Sequence, residues 1–177
     1  MGGSGHTPVQ VMERGDVSRA IQRIAHEIVE RNHDRGRVAV VGLQRGGVWI
    51  AQQLAGKIAA IDATLHVSSG SLDVSMYRDD LRIRPVVDGA VTDIDFDVTD
   101  MLVVLVDDVL FTGRTVRAAL EGLNSFGRPR AVQLAVLVDR GHRELPIRPD
   151  FVGKNIPTHA SDEVLVSEDG VIVQATQ

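Results

Sequence analysis

Ten residues near the middle of the chain carry its most chemically pointed pattern: Val106-Asp107-Asp108-Val109-Leu110-Phe111-Thr112-Gly113-Arg114-Thr115. Two adjacent carboxylates end an apolar run, and Thr-Gly-Arg-Thr follows where an amphipathic stretch begins. Ionised carboxylates only accept hydrogen bonds, so they suit the recognition of hydroxyls. Hydroxyls and backbone N–H groups at a helix start make a phosphate cradle, and Gly113 lets the backbone approach the anion. A diol beside a phosphate is a ribose 5-phosphate. Either half alone also reads as ordinary structure, a solvated acidic turn or a helix cap. Joined in this order, between an apolar strand and a helix, they favour the ribose phosphate.

The surrounding sequence predicts the elements that hold this motif. Asp16 reads as an N-cap, after which Val17, Ala20, Ile21, Ile24, Ile28 and Val29 recur at helical spacing to about Asn32. Val38–Leu43 and Met101–Val106 are continuous apolar runs, as expected for strands buried on both faces. Gly46 and Gly47 follow the first run, and Val48–Ile61 reads as a helix. Thr64–Val67 reads as a strand; Ser68–Val74 either continues it or pairs with Ile83–Val87. Arg114–Phe126 reads as a helix stopped by Gly127, and Ala131–Val138 as another buried strand before an irregular tail. Strands alternating with helices predict an α/β fold with a mostly parallel central sheet flanked by helices. Ligands of such sheets bind beyond the carboxyl ends of the strands.

Composition bounds the rest. At 177 residues, length favours one domain: residues 1–15 are expected to form a disordered N-terminal segment and 16–177 the domain. The chain has no cysteine, which excludes disulfides, Cys-ligated zinc, iron–sulfur clusters and a thiol nucleophile, and fits a cytoplasmic location. No apolar run approaches the length of a spanning helix, so no membrane partner is expected. The net charge of −5 argues against generic nucleic-acid binding, but 17 of the 19 basic residues are arginine. Arginine forks match phosphate geometry, so any anion-binding role must come from local clusters. The six histidines form no metal-spaced group, and no metal ligand is assigned to a side chain.

Val103–Thr115 resembles the thirteen-residue phosphoribosyl-pyrophosphate (PRPP) motif of type I phosphoribosyltransferases. Purine enzymes of that group usually carry a further Asp before the Thr-Gly; here that place is Phe111. The form DDVLFTGRTVRAAL is similar to the PyrR family, pyrimidine-operon attenuators with uracil phosphoribosyltransferase activity. Arg23–Asn32 resembles that family's first helix and Tyr77–Leu81 its mobile active-site loop. Gly127–Thr158 resembles its fourth strand and hood, placing a small hood mainly in 139–160.

The resemblance implies a type I phosphoribosyltransferase fold and the reaction uracil + PRPP → UMP + pyrophosphate, with Mg²⁺ accompanying PRPP. It implies Asp107 and Asp108 on the ribose hydroxyls, with Val106 and Val109–Thr115 (Leu110, Phe111, Thr112, Gly113 and Arg114 included) around PRPP or UMP, and Thr112–Thr115 on the 5′-phosphate. Arg45, Gly46 and Gly47 become the pyrophosphate loop and Arg78 a second clamp. Asp139 and Arg140 face the base pocket, and backbone groups near Val152 and Ile156 read the pyrimidine edge. The family also implies binding of pyrimidine-operon mRNA favoured by UMP, through Arg23, His26, Arg31, Arg148 and Lys154, and a homodimer or higher homo-oligomer. The structural alternatives are a solvated amphipathic helix for the first three and a solvated side chain for Lys154.

One departure bears on catalysis. The family loop usually reads Thr-Arg-Gly, whereas this chain has Arg45-Gly46-Gly47, closer to the Lys-Gly-Gly of hypoxanthine enzymes. Two further readings follow: an RNA-binding nucleotide sensor with vestigial catalysis, and a uracil or hypoxanthine salvage enzyme without an RNA role. Phe111 opposes the hypoxanthine form.

Overall fold

The computed structural model describes residues 7–77 and 91–176. Five parallel strands form the central sheet: β2 (Arg37–Leu43), β3 (His66–Leu72), β4 (Leu102–Leu110), β5 (Ala131–Asp139) and β6 (Phe151–Asn155), in the order β3-β2-β4-β5-β6. Their composition explains their place. Val38–Val41 and Leu102–Val106 are fully buried, because helices cover both faces. Each buried Val or Leu stabilises the fold by about 1.5–3 kcal/mol before entropy costs.

Helices α1 (Arg14–Asn32) and α2 (Val48–Ile61) pack on one face, where Ile21, Ile24, Ile28, Leu54 and Ile58 meet Val38, Val40, Leu102 and Val104. On the other face α3 (Arg114–Leu123) sets Val116, Ala119 and Leu123 against Val41, Val103 and Leu105. The chain leaves β2 through α2 to reach β3 on one side. It leaves β4 through α3 to reach β5 on the other. The strand order therefore reverses between β2 and β4, and the crevice beyond their carboxyl ends is where such sheets bind ligands.

Several elements differ from expectation. Helix α1 starts at Arg14, with Glu13 as its N-cap. Asp16 lies within its first turn, and its carboxylate accepts the Glu13 N–H at 2.9 Å. A carboxylate satisfies an orphan amide from either position, so its presence alone did not fix the boundary. The N-terminal segment is ordered from β1 (Val9–Glu13) onward, because this strand has a partner far along the chain: it pairs antiparallel with β8 (Gly170–Gln174), which also pairs with β7 (Glu163–Ser167). The tail thus joins β1 in a second, three-stranded sheet that packs on α1, with Met12 and Val171 buried. Residues 68–72 continue β3; Ile83–Val87 lie outside the described residues. The helix read to Phe126 ends at Leu123 and continues as one 3₁₀ turn, Asn124–Phe126.

Candidate active site

Strand β4 outruns its neighbour. Its pairing with β2 ends at Gly42–Val106, while pairing with β5 continues to Leu110–Asp139. The last four residues of β4 therefore lack β2 alongside, and the loop after β2 folds across that gap. Gln44–Gly47 turns there through a cis peptide between Gln44 and Arg45. A Cβ at Gly47 would overlap the Val106 carbonyl, and one at Gly46 would overlap the Asp108 carboxylate. Both glycines exist to let this loop lie on the end of β4, with the exposed Arg45 at its tip.

The two carboxylates are held by their own backbone. Asp107 Oδ1 accepts the Asp108 N–H at 2.9 Å, and Asp108 Oδ1 accepts the Val109 N–H at 2.8 Å. Asp107 is 8 % exposed, and Asp108 is half-buried facing the glycine loop. Two fixed acceptors thus sit between the two loops of the crevice.

Past β4, Gly113 takes φ +94° and starts α3. Only glycine adopts this conformation without strain, and a Cβ there would also press on Ile147 at 3.1 Å. The Thr112 hydroxyl accepts the Arg114 N–H at 3.3 Å. First-turn amides of a helix point out of its N-terminus, here into the crevice. Arg114 turns aside and pairs with Glu144 at 2.9 Å.

Residues Phe111 and Arg140 form the next layer. The Arg140 guanidinium lies 4.1 Å from the Phe111 ring centroid, and donates to Thr158 Oγ1 and the His159 carbonyl. The His142 ring meets the Phe111 edge at 5.8 Å and bonds the Thr158 carbonyl. Asp139 is committed inward: it accepts the Gly141 N–H and the Arg143 guanidinium. In segment 152–156, whose backbone is expected to read a base, two groups have partners within the chain. The Val152 carbonyl accepts from Arg23, and the Ile156 N–H donates to the Asp139 carbonyl. Arg78, with residues 79–81 of the expected loop, lies outside the described residues; Tyr77 packs on Gly122 of α3.

Residues 10–169 match the phosphoribosyl transferase domain family. A relative from Acetivibrio thermocellus named Bifunctional protein PyrR is 52 % identical over 168 residues, covering 92 % of this chain and 90 % of that protein. The chain belongs to the PyrR family of phosphoribosyltransferases. Relatives of the same name from Streptomyces coelicolor and Bacillus subtilis are 56 % and 49 % identical, covering 90 % and 91 % of this chain and 84 % and 90 % of their own. The fold also matches solved hypoxanthine phosphoribosyltransferases. That of Trypanosoma cruzi has a TM-score of 0.71 at 17 % identity, over 97 % of this chain and 92 % of its own. That of Staphylococcus aureus has 0.69 at 17 %, over 96 % and 92 %.

In this PyrR-family chain Arg23, His26 and Arg31 lie on α1, which Arg23 and Arg31 join to residues 150–153; Lys154 lies on β6 and Arg148 in the loop before it. Arg23 donates to the Val152 and Gly153 carbonyls at 3.0 and 2.7 Å and pairs with Glu27. Arg31 pairs with Asp150 and lies 5.3 Å from the Phe151 ring centroid. Both guanidiniums have structural partners yet remain about half exposed, at 48 % and 52 %. His26, Arg148 and Lys154 are exposed. Arg148 borders a cleft of about 710 Å³ lined also by Asp139, Arg143 and Val152.

The motif reading missed Arg143, Glu144, Thr158 and His159. Their signal was weak: each sits in a loop whose chemistry appears only once β6 folds beside β5. Among the described residues no group of three or more His, Asp or Glu could hold a metal, and no helix is long and apolar enough to cross a membrane.

Proposed function

We propose that this chain is a uracil phosphoribosyltransferase that also regulates pyrimidine genes by binding their mRNA in a uridine-nucleotide-dependent way. The observation that carries the enzymatic half is the crevice between β2 and β4. There a pinned carboxylate pair faces a glycine loop on one side and a helix N-terminus on the other.

Asp107 and Asp108 accept the ribose 2- and 3-hydroxyls, and their fixed geometry orients C1 of the sugar. Thr112–Thr115 hold the 5′-phosphate through hydroxyl and amide donors. Uracil nitrogen bonds to C1 as the C1–oxygen bond to pyrophosphate breaks; the electron pair leaves with pyrophosphate, and the nitrogen's proton passes to the departing pyrophosphate or to water. Negative charge therefore grows beside Arg45, Gly46 and Gly47, where the exposed arginine and backbone amides meet it. Mg²⁺ carried with PRPP would offset charge on the pyrophosphate, held mainly through substrate oxygens beside Asp107 and Asp108. The few carboxylates of the crevice fit this, because Mg²⁺ keeps several waters and binds mainly through substrate oxygens. Phe111, covered by Arg140, presents a ring where purine enzymes offer a carboxylate, which favours uracil over hypoxanthine. The base-reading groups are Arg140, stacked on Phe111, and backbone groups of 152–156.

RNA binds the α1–β6 surface through exposed His26 and Lys154 and the exposed edges of Arg23 and Arg31, with Arg148 contributing from the loop before β6. A homodimer that sets two such faces side by side concentrates positive field against the net charge of −5. The setting is cytoplasmic, where both substrates and message occur.

The test is pyrophosphate release from PRPP and Mg²⁺ with uracil, hypoxanthine, orotate or no base. Uracil-dependent release is expected; release only with hypoxanthine, or with no base at all, overturns the enzymatic reading. UMP-stimulated, salt-sensitive binding of a pyrimidine-operon leader checks the regulatory half.

A further inference from the structure

We infer that Arg143 is a positioning residue that presets the 5′-phosphate loop from the hood side. It touches neither carboxylate of the motif nor the helix start, yet it joins three segments meeting behind them. Its Nη1 donates to the Phe111 carbonyl at 2.9 Å, its Nη2 to Asp139 Oδ2 at 2.6 Å and its Nε to the Ile147 carbonyl at 2.9 Å. The planar fork satisfies all three at once, which a lysine cannot do. The Arg143 side chain is about three-quarters buried, at 24 % exposure, which limits screening of its bonds.

Neighbouring contacts share the same direction. The Glu144 and Leu145 amides both donate to the Thr112 carbonyl, at 3.0 and 3.2 Å. Ile147 lies under Gly113. The Glu144 carboxylate pairs with the Arg114 guanidinium at 2.9 Å. Segment 143–147 is therefore a strut along the back of Phe111–Arg114, and Arg143 fixes both its ends. With the Phe111 and Thr112 carbonyls tied backward, the amides that follow are left directed forward to the phosphate. A loop held in its bound form loses less entropy when ligand arrives.

This inference rests on the assignment of Thr112–Thr115 to the 5′-phosphate, and the experiment separates the two. Ribose 5-phosphate and pyrophosphate are each titrated as competitors of PRPP with full-length wild type, Arg143→Gln, Arg143→Lys and Thr115→Ala. Ribose 5-phosphate reports the phosphate loop; pyrophosphate reports the Arg45–Gly47 side. Arg143→Gln is expected to weaken ribose 5-phosphate about tenfold, the scale of a lost charge-assisted hydrogen bond. Pyrophosphate inhibition and kcat stay within about twofold, so the loss appears in KM for PRPP. Arg143→Lys, which keeps the charge and the Asp139 partner, falls between and serves should the Gln variant not fold. Equal weakening of both competitors means general damage and overturns the inference, as does no change in either. If Thr115→Ala leaves ribose 5-phosphate unaffected, the phosphate assignment itself falls. If Thr115→Ala weakens it and neither Arg143 variant does, only the strut falls.

Discussion

The β2–β4 crevice and the α1–β6 surface are built by opposite means. In the crevice the work is done by backbone. Gly46 and Gly47 allow a loop to lie on a strand end, Gly113 holds a left-handed turn, and each aspartate is pinned by the next amide. On the α1–β6 surface the work is done by long side chains that also hold the molecule together, as when Arg23 fastens helix to strand through two carbonyls. A backbone site tolerates no added atom, whereas a side-chain surface degrades gradually. The crevice should thus respond to substitution in an all-or-none way, and the α1–β6 surface in increments.

The largest effect is expected from the carboxylates. Asp107→Asn with Asp108→Asn keeps shape but replaces two pure acceptors by amides. Uracil-dependent pyrophosphate release should fall by about 10²- to 10³-fold or more, with an unchanged thermal midpoint. Retention of more than a tenth of the activity would break the comparison, since the pinned pair would then be ordinary strand-end structure.

The next concerns the loop that departs from the family pattern. Placing arginine at position 46 restores the usual family residue, yet its Cβ would overlap the Asp108 carboxylate. Gly46→Arg should therefore lower activity by about tenfold or more, as expected for steric displacement of a fixed group. A gain in kcat would show that the loop moves freely and that Arg45 is a poor substitute.

The legibility of these two regions differs for the same reason. The crevice was readable because its chemistry is contiguous: residues 106–115 carry strand end, carboxylates, turn and helix start in one run. Even there the partner loop was harder. Nothing in Arg45-Gly46-Gly47 by itself says that Gly46 faces Asp108, a contact made across 62 residues of chain. The surface was less readable because Arg23 and Arg31 look like solvated helix arginines until β6 arrives to accept them. The β1-β8-β7 sheet was invisible for the same reason, since Val9–Glu13 is too short to announce a strand whose partner lies some 160 residues away. In the hood, the hydrogen-bonding commitments of the Val152 carbonyl and the Ile156 N–H depend on Arg23 and Asp139 and are a tertiary fact.

A smaller effect sharpens the comparison from the other side. Lys154→Ala removes an exposed cation with no fold to hold, so RNA affinity should fall with a salt slope reduced by about one, and uracil kinetics should not change. Arg23→Ala should cost RNA affinity and also destabilise the chain by about 1–3 kcal/mol, because two carbonyls of β6 lose their donor. Urea midpoints measured beside filter binding separate the two. Equal midpoints for both variants would mean that the Arg23 clamp is dispensable and that the surface is not built from structural side chains.

The smallest expected effect lies at the start of α1, beside the same surface. The Glu13 amide and then the Arg19 guanidinium hold the Asp16 carboxyl below the ordinary aspartate value of 3.8. A group whose pKa is lower folded than unfolded stabilises the fold above its unfolded value and loses that contribution as pH falls through the folded one. The Asp16 contribution is therefore fully present at neutral pH and fades below about 3.8. Asp16→Asn should lower the urea midpoint at pH 7, and the gap to wild type should close as pH drops past that value. The side chain is about half exposed, so the change is small and shrinks with added salt. A gap that persists unchanged in acid would mean that shape, not charge, makes the Asp16 contact with Glu13, and that an asparagine fails there for steric reasons.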